Sequence, residues 1–408
     1  MQQHQDQEQG EVEDFDEKRH EQLTTAPKAV ESDAAPRVDV TDQEGRRDAD
    51  RRRGHGIRAA GQAHADARSM TADAATRASA AAGAGARDVL VLGGTAWIGR
   101  LVAERLVARG DRVTCLARGA SGSAPAGARH IAADRDRDDA YDAVVDADWD
   151  EVVDLTSSAE HARRAVAALA DRARHWTLVS TVSVYASVAH PGDDESAAVV
   201  DPVDLEEYGQ AKVAAERAVT AALAGRRMVV RPGLVTGPGD DSDRLGYWPA
   251  RFALAGDGPV LVPDAADRRL QVIDARDLAD LVVEVGVDAL DGVVDAVGES
   301  VPLAEALDLA AEAAGSTGER VVGTDAQLAD AGVRHWAGPR SLPLWLPREA
   351  AGFMARSDAG IRARGIRRRP LAETMRDVLA DERERGLDRP RLSGLTRDEE
   401  LELVASLR

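Results

Sequence analysis

The chain has 408 residues, 44% of them apolar and 30% charged, a balance that supports a sizeable core and excludes a collagen-like chain, a fibre or wholesale disorder. Its formal net charge of -20 opposes nonspecific attraction to nucleic acid phosphates or an anionic bilayer, so neither is an expected partner. One cysteine, Cys115, leaves no internal disulfide; with no zinc-spaced Cys/His cluster, no leader-like segment and no apolar run of about 18 residues, the expectation is a cytoplasmic protein that binds no metal.

Residues 1–86 hold a Gln/Glu/Asp-rich start, an arginine run at Arg51, Arg52 and Arg53, and an Ala/Gly tract ending in AAAGAGAR. With few Leu, Ile or Phe such a segment cannot close a core, so we read it as a disordered extension. A solvated extension, or an overlong start ahead of Met70, is the preferred reading of it over a regulatory or interaction arm.

From Asp88 apolar runs alternate with amphipathic stretches. DVLVLGG reads as a buried strand, WIGRLVAERLVARG as a helix closed by Gly110, and DRVTCLA as a second strand. WDEVVDLT, HWTLVST and RRMVVRP read as further strands, separated by helices around AEHARRAVAALA and LEEYGQAKVAAERAVTAAL. This order predicts an α/β fold with a Rossmann-type, doubly wound parallel sheet over residues 87–232. Beyond it, RPGLVTGPGDDSDRLGYWPARF and HWAGPRSLPLWLP read as loop-rich insertions, and RRLQVIDARDLADLVVEV as a strand followed by a helix. We assign 233–385 to a smaller substrate-binding subdomain interleaved with the remaining core elements, and 386–408 to a helical tail. Ligands of open α/β sheets lie beyond the carboxyl ends of the strands, where such loops can cover them.

In LVLGGTAWIGR, residues 90–100, a strand runs through glycines into a helix, the arrangement that turns backbone N–H groups and the positive helix end towards a pyrophosphate. Gly93 permits the turn and Gly99 the close packing of helix on strand, while Ala96 replaces the usual middle glycine; Thr95, Trp97 and Ile98 complete the candidate cofactor turn. A plain strand-to-helix connection is the alternative. In the slot that holds an acidic residue in NAD sites the second strand ends LARG, with Ala117 and Arg118. An arginine there accommodates a 2′-phosphate, so NADP(H) is preferred and NAD(H) is the alternative.

YGQAK, Tyr208 to Lys212, places two chemical groups one helical turn apart on one face. The ammonium can then favour the phenolate form that a proton donor and acceptor must visit. The chain has only three lysines, Lys18, Lys28 and Lys212, and arginine is no equivalent of a compact ammonium.

Together with TLVSTVSVYAS, residues 177–187, these motifs resemble the extended short-chain dehydrogenase/reductase superfamily, NAD-dependent epimerase/dehydratase type, over about residues 88–385. The resemblance implies that Thr181, four residues before Tyr185, orients the substrate carbonyl or alcohol, with Ser180 and Ser183 as nearby alternatives. It implies that Tyr208 transfers the proton and that Lys212 also holds the nicotinamide ribose. It places Asp134 and Arg135 of AADRD beside the adenine, Thr156 at the cofactor, RPGLVTGPGD beside the nicotinamide, and Arg269 and Gln271 at the substrate. GGTAWIG is closer to an atypical branch that includes chloroplast stem-loop RNA-binding relatives.

The function so implied is an NAD(P)-dependent oxidoreductase of reductase or epimerase type. It would act on a hydroxyl or carbonyl carbon of a small metabolite such as a nucleotide sugar, in a homodimer. An epimerase/dehydratase with tightly bound NAD, and a noncatalytic nucleotide-sensing or RNA-binding protein, are the alternatives. Trp248, Trp336 and Trp345 are read as packing residues or pocket walls, Cys115 as a small buried hydrophobe, and Arg367 to Pro370 as a solvated run.

Overall fold

Short, continuously apolar strands build the centre of the protein, as a sheet covered on both faces requires. The computed structural model describes residues 85–408; the extension expected over 1–86 lies outside them but for its last two residues. The central sheet contains β1 (Asp88–Leu92), β2 (Arg112–Ala117), β3 (Arg129–Ala132), β4 (Glu151–Asp154), β5 (Trp176–Val179), β6 (Arg227–Pro232) and β10 (Gly292–Ala296). They are ordered β3-β2-β1-β4-β5-β6-β10, and every pairing is parallel. Strand order reverses between β1 and β4, which opens a ligand crevice at their carboxyl ends.

Alternate residues of β1 face opposite layers, as the period of two demands. Val89 and Val91 join a buried cluster with Val102 and Leu106 of α1 (Trp97–Arg109) and Leu278 and Leu281 of α5 (Ala275–Val287). Leu90 and Leu92 pack instead with Ala162 and Ala165 of α2 (Ala159–Leu169) and Ala215 and Val219 of α3 (Tyr208–Ala222).

Two strands of the central sheet had no clear sequence signal. β3, RHIA, is an edge strand with mostly exposed side chains, and so has no apolar run to read. β10 arrives late in the chain, inside the 233–385 stretch, and pairs with β6.

The second layer of structure starts at β7 (Leu234–Thr236) and α4 (Arg244–Ala255). The α4 segment was expected to be a loop, and the structure corrects this. Gly246 and an internal Pro249 argue against a helix locally, yet Leu245, Tyr247, Trp248, Pro249 and Phe252 are all buried, and packing on all sides overrides the propensity. Next come β8 (Val260–Pro263), β9 (Arg269–Asp274), β11 (Ser300–Pro302), α6 (Leu303–Ala314), β12 (Arg320–Gly323), α7 (Asp325–Asp330), β13 (Arg334–Trp336) and β14 (Ser341–Pro343). The chain ends with α8 (Ala359–Ala363), α9 (Leu371–Arg385) and α10 (Arg397–Ser406). β11-β9-β7 form a small sheet, and β8 pairs with β12.

Trp248, Trp336 and Trp345 are 2% exposed or less and share one core with Phe252 and Phe353. The indoles of Trp248 and Trp345 donate to the Pro343 carbonyl at 2.8 Å and to Asp325 at 3.1 Å, which makes both packing residues. Among the described residues no helix is long and apolar enough to cross a membrane.

Candidate active site

The turn between β1 and α1 is shaped by three glycines, each for its own steric reason. Gly93 has φ +101 and donates its N–H to the Leu116 carbonyl at 3.0 Å, pinning the turn to β2. A Cβ on Gly99 would lie 2.2 Å from the Gly93 oxygen, so only glycine lets α1 start this close. A Cβ on Gly94, which sequence reasoning left aside, would lie 2.5 Å from the Cys115 sulfur. Cys115 is thus the floor under the turn, and burial pushes its thiol up to about 11. Ala96 caps α1 with no side-chain bond, leaving the first N–H groups of the helix without a side-chain acceptor from the cap. Trp97 reaches sideways: its indole donates to the Pro238 carbonyl at 2.9 Å and packs on Gly239. This contact ties the glycine turn to the loop after β7.

Beside the turn lies a cavity of about 290 Å³, lined by Thr95, Ala96, Arg118, Asp134, Thr156 and His161 among others. Arg118 is exposed just after β2. Asp134 accepts from the Asp136 N–H at 3.2 Å. Arg135 also lines this cavity, but its guanidinium is held from below. It meets Asp154 at 3.0 and 3.3 Å, the Tyr141 hydroxyl at 2.9 Å and the His161 carbonyl at 3.0 Å. Asp154, fully buried at the end of β4, also accepts from the Thr156 N–H at 3.1 Å. Arg135 and Asp154 together therefore brace the cavity wall. The uncapped start of α1, the close glycine packing and a cavity of nucleoside size with a cation at its rim all fit a dinucleotide.

Tyr208 is the first residue of α3. Glu207 caps this helix by accepting from the N–H groups of Gly209 and Gln210 at 3.0 and 2.8 Å. The Gln210 side chain fixes the preceding loop by accepting from Val203 and Asp204 N–H at 2.8 and 2.7 Å. One turn on, Lys212 is 3% exposed, and its ammonium donates to the carbonyls of Thr156 at 2.6 Å and Val179 at 2.7 Å. It therefore bridges the ends of β4 and β5. The same nitrogen lies 5.7 Å from the centroid of the Tyr208 ring. An ammonium has three donors, so one remains beyond the two carbonyls.

Thr181 follows β5, 6% exposed, with its hydroxyl donating to Ser183 Oγ and accepting from the Ser183 N–H, both at 3.1 Å. Ser180 points away: its hydroxyl donates to Glu216 at 2.5 Å. The structure thus gathers Thr181, Tyr208 and Lys212 where β4 and β5 end.

Beneath them lies a buried chain of charges that sequence reasoning missed. Arg231 meets Glu216 through two bonds of 2.9 and 2.7 Å and donates to the Tyr185 hydroxyl at 2.9 Å. That hydroxyl donates to Asp295 at 2.6 Å, and Asp295 accepts from Arg356 at 2.7 Å. Burial raises the Asp295 carboxyl above its usual range, against the lowering pull of Arg356. One signal was legible: Glu216 stands one turn beyond Lys212, a charge on the buried face of the helix.

Gln271 belongs to this network. Its amide donates to the carbonyls of Gly298 and Arg356 at 3.0 and 2.9 Å and accepts from the Arg356 N–H at 3.0 Å. Arg269 is exposed, donates to Ser300 Oγ at 2.8 Å, and lines a second cavity of about 260 Å³ with Arg348 and Met354. No group of three or more His, Cys, Asp or Glu among the described residues is arranged to hold a metal ion.

Comparison with known proteins adds a family pattern to this geometry. The model of the NAD dependent epimerase/dehydratase family matches residues 89–292. The dTDP-6-deoxy-L-talose 4-dehydrogenase (NAD(P)(+)) of Kitasatospora kifunensis is 32% identical over 231 residues, 50% of this chain and 68% of that protein. A putative epimerase from Burkholderia cenocepacia superposes with TM-score 0.57 at 23% identity, over 73% of this chain and 98% of that one. The UDP-glucose 4-epimerase of Thermus thermophilus, solved with NAD, gives TM-score 0.51 at 18% identity, over 72% and 99%. At those identities the two structures show a shared fold.

Proposed function

The chain belongs to the NAD-dependent epimerase/dehydratase family and is an NAD(P)-dependent enzyme; from that premise we propose that it moves a hydride to or from C4 of a nucleotide-linked deoxyhexose, as a dehydrogenase or reductase. When bound, the nicotinamide supplies or accepts that hydride. Thr181 orients the sugar oxygen through its hydroxyl. Tyr208 gives a proton to that oxygen on reduction and takes it back on oxidation. Lys212, fixed by the Thr156 and Val179 carbonyls, presents its remaining donor to the nicotinamide ribose and keeps a positive charge near the phenol. The helix start at Ala96 holds the pyrophosphate, Asp134 faces the adenine, and Arg118 selects the 2′-phosphate of NADP(H). Arg269 meets the substrate from its own cavity, while Gln271 acts on it indirectly by fixing the Arg356 segment.

The observation that carries this reading is the convergence of Thr181, Tyr208 and Lys212 beside the glycine turn. The Kitasatospora kifunensis relative supports the sugar class and the C4 position. The site is proposed to work in the cytoplasm, in a homodimer.

The test is to incubate the full chain with dTDP-6-deoxy-L-talose and NADP+ or NAD+, following reduced nicotinamide and product together. Net reduction of the nicotinamide, faster with NADP+, is expected. Interconversion of dTDP- or UDP-hexoses without net cofactor turnover would replace this reading with an epimerase, and no turnover of any hexose would overturn both.

A further inference from the structure

Loop 237–243 joins β7 to α4 and is held at both ends. At one end Trp97, the first residue of α1, donates its indole N–H to the Pro238 carbonyl at 2.9 Å, and a Cβ on Gly239 would lie 3.1 Å from that indole nitrogen. Trp97 follows Ala96, which lines the nucleoside-sized cavity. A shift of this loop therefore acts on the helix start that borders the cavity.

At the other end Asp243 stands just before α4 with φ +58, in the left-handed region that residues with a side chain rarely occupy. Its carboxylate does not cap the helix. It is 2% exposed and turns instead to the segment that follows α9, accepting from the Leu392 N–H at 2.8 Å, Arg389 Nη1 at 3.1 Å and Arg391 Nη1 at 3.3 Å. Glu382 of α9 accepts from the same two arginines at 3.2 and 2.8 Å, so both guanidiniums are shared between helix and loop. Two more bonds join these segments: Arg385 donates to the Asp240 carbonyl at 2.7 Å, and the Ser393 hydroxyl donates to the Ser242 carbonyl at 3.0 Å. A strained backbone persists where its surroundings over-determine it, and here the surroundings are residues 385–393.

We propose that Asp243 is a positioning residue for the cofactor. Residues 385–393 hold it, it fixes loop 237–243, and the loop, through Trp97, sets how the glycine turn meets the dinucleotide. The inference rests on the reading of that turn as the dinucleotide site and is independent of the sugar.

The test is a double-mutant cycle on cofactor affinity, read by calorimetric titration of the full chain with NADPH and NADH in parallel. The proteins are wild type, Trp97→Phe, Asp243→Asn, Arg385→Met and the last two combined with Trp97→Phe. Asn tolerates the left-handed backbone and removes only the charge. Arg385→Met removes a partly exposed bond to the loop, and it decides the question if Asp243→Asn does not fold. Each single variant should bind the preferred dinucleotide about 10-fold more weakly. In the Trp97→Phe background the second change should add less than about 2-fold, because the link to the turn is already cut. Losses that multiply in the double variants would overturn the proposal. Wild-type affinity in Asp243→Asn or Arg385→Met, with a lowered urea midpoint, would also overturn it, because residues 385–393 would then serve stability alone. Either of these results leaves the dinucleotide site standing, whereas a wild type that binds neither dinucleotide would remove site and proposal together.

Discussion

Gly209 and Ser183 meet backbone to backbone: a Cβ on Gly209 would lie 2.4 Å from the Ser183 carbonyl oxygen. Gly209 follows Tyr208, and Ser183 holds the Thr181 hydroxyl. This one contact therefore helps to fix the spacing between Tyr208, the proposed proton donor, and Thr181, the residue proposed to orient the substrate. Gly209→Ala should lift the start of α3 off that turn, lowering kcat by about 100-fold, the size expected when catalytic groups shift by about 1 Å. Overpacking should also cost about 1–3 kcal/mol, read from the urea midpoint. Wild-type kcat would show that the spacing does not matter.

Tyr208 and Lys212 should separate chemistry from stability. Tyr208→Phe keeps the ring, so kcat should fall about 10²–10⁴-fold with the melting temperature and NADPH affinity little changed. Lys212→Met also strands the buried carbonyls of Thr156 and Val179, so it should lose activity and about 1–3 kcal/mol of stability together. Equal melting temperatures for the two variants would contradict the bridging role of Lys212.

Arg118 stands at the rim of the nucleoside-sized cavity. Arg118→Asp should weaken NADPH binding more than NADH binding, measured by parallel titration of tryptophan fluorescence, because a carboxylate repels a 2′-phosphate and accepts from a 2′-hydroxyl. Equal losses would remove the 2′-phosphate assignment.

His175 supplies a pH dependence remote from the chemistry. It is 2% exposed, and its ring nitrogens meet Glu151 at 2.7 Å and the Leu290 carbonyl at 2.8 Å, both acceptors, as suits an imidazolium. Burial alone would lower its pKa, but the Glu151 hydrogen bond and charge outweigh burial and raise it. A pKa raised in the folded state stabilises the protein fully below the unfolded value of about 6.5, and the gain disappears as pH rises through the folded value. The stability difference between wild type and His175→Gln should therefore shrink from pH 6 upward, in melts followed by circular dichroism. A flat difference would exclude the charged ring.

Asp295 neutralises Arg356 and anchors the Tyr185 hydroxyl. Asp295→Ala leaves that guanidinium buried without its partner and should cost about 3–5 kcal/mol in chemical denaturation. A loss below about 1 kcal/mol would mean that solvent reaches Arg356 once the carboxylate is gone.

Much of the site was legible because its chemistry is local in sequence. The strand–glycine–helix segment from Leu90 to Arg100 and the i, i+4 pair of Tyr208 and Lys212 each occupy one or two adjacent elements. Backbone geometry alone relates their members. Thr181 was readable by its place at a strand end ahead of Tyr185. What escaped were relationships across elements: Gly94 over Cys115, Arg135 on Asp154, and Trp97 on Pro238, partners 19 to 141 residues apart. Arg135 shows the difference most clearly. Its position beside the cavity follows from the motif, but the direction of its guanidinium depends on a carboxylate at the end of another strand.

By itself, then, the sequence determined the parallel α/β architecture and singled out the glycine turn, Thr181, Tyr208 and Lys212 as candidates for one site, because hydrophobic period and fixed spacing act over a few residues. Only the tertiary structure decided that α4 is a helix despite Pro249 and that Glu216, Arg231, Tyr185, Asp295 and Arg356 form one buried chain. Burial and charge pairing across distant elements decide such features, and no window of sequence contains both partners.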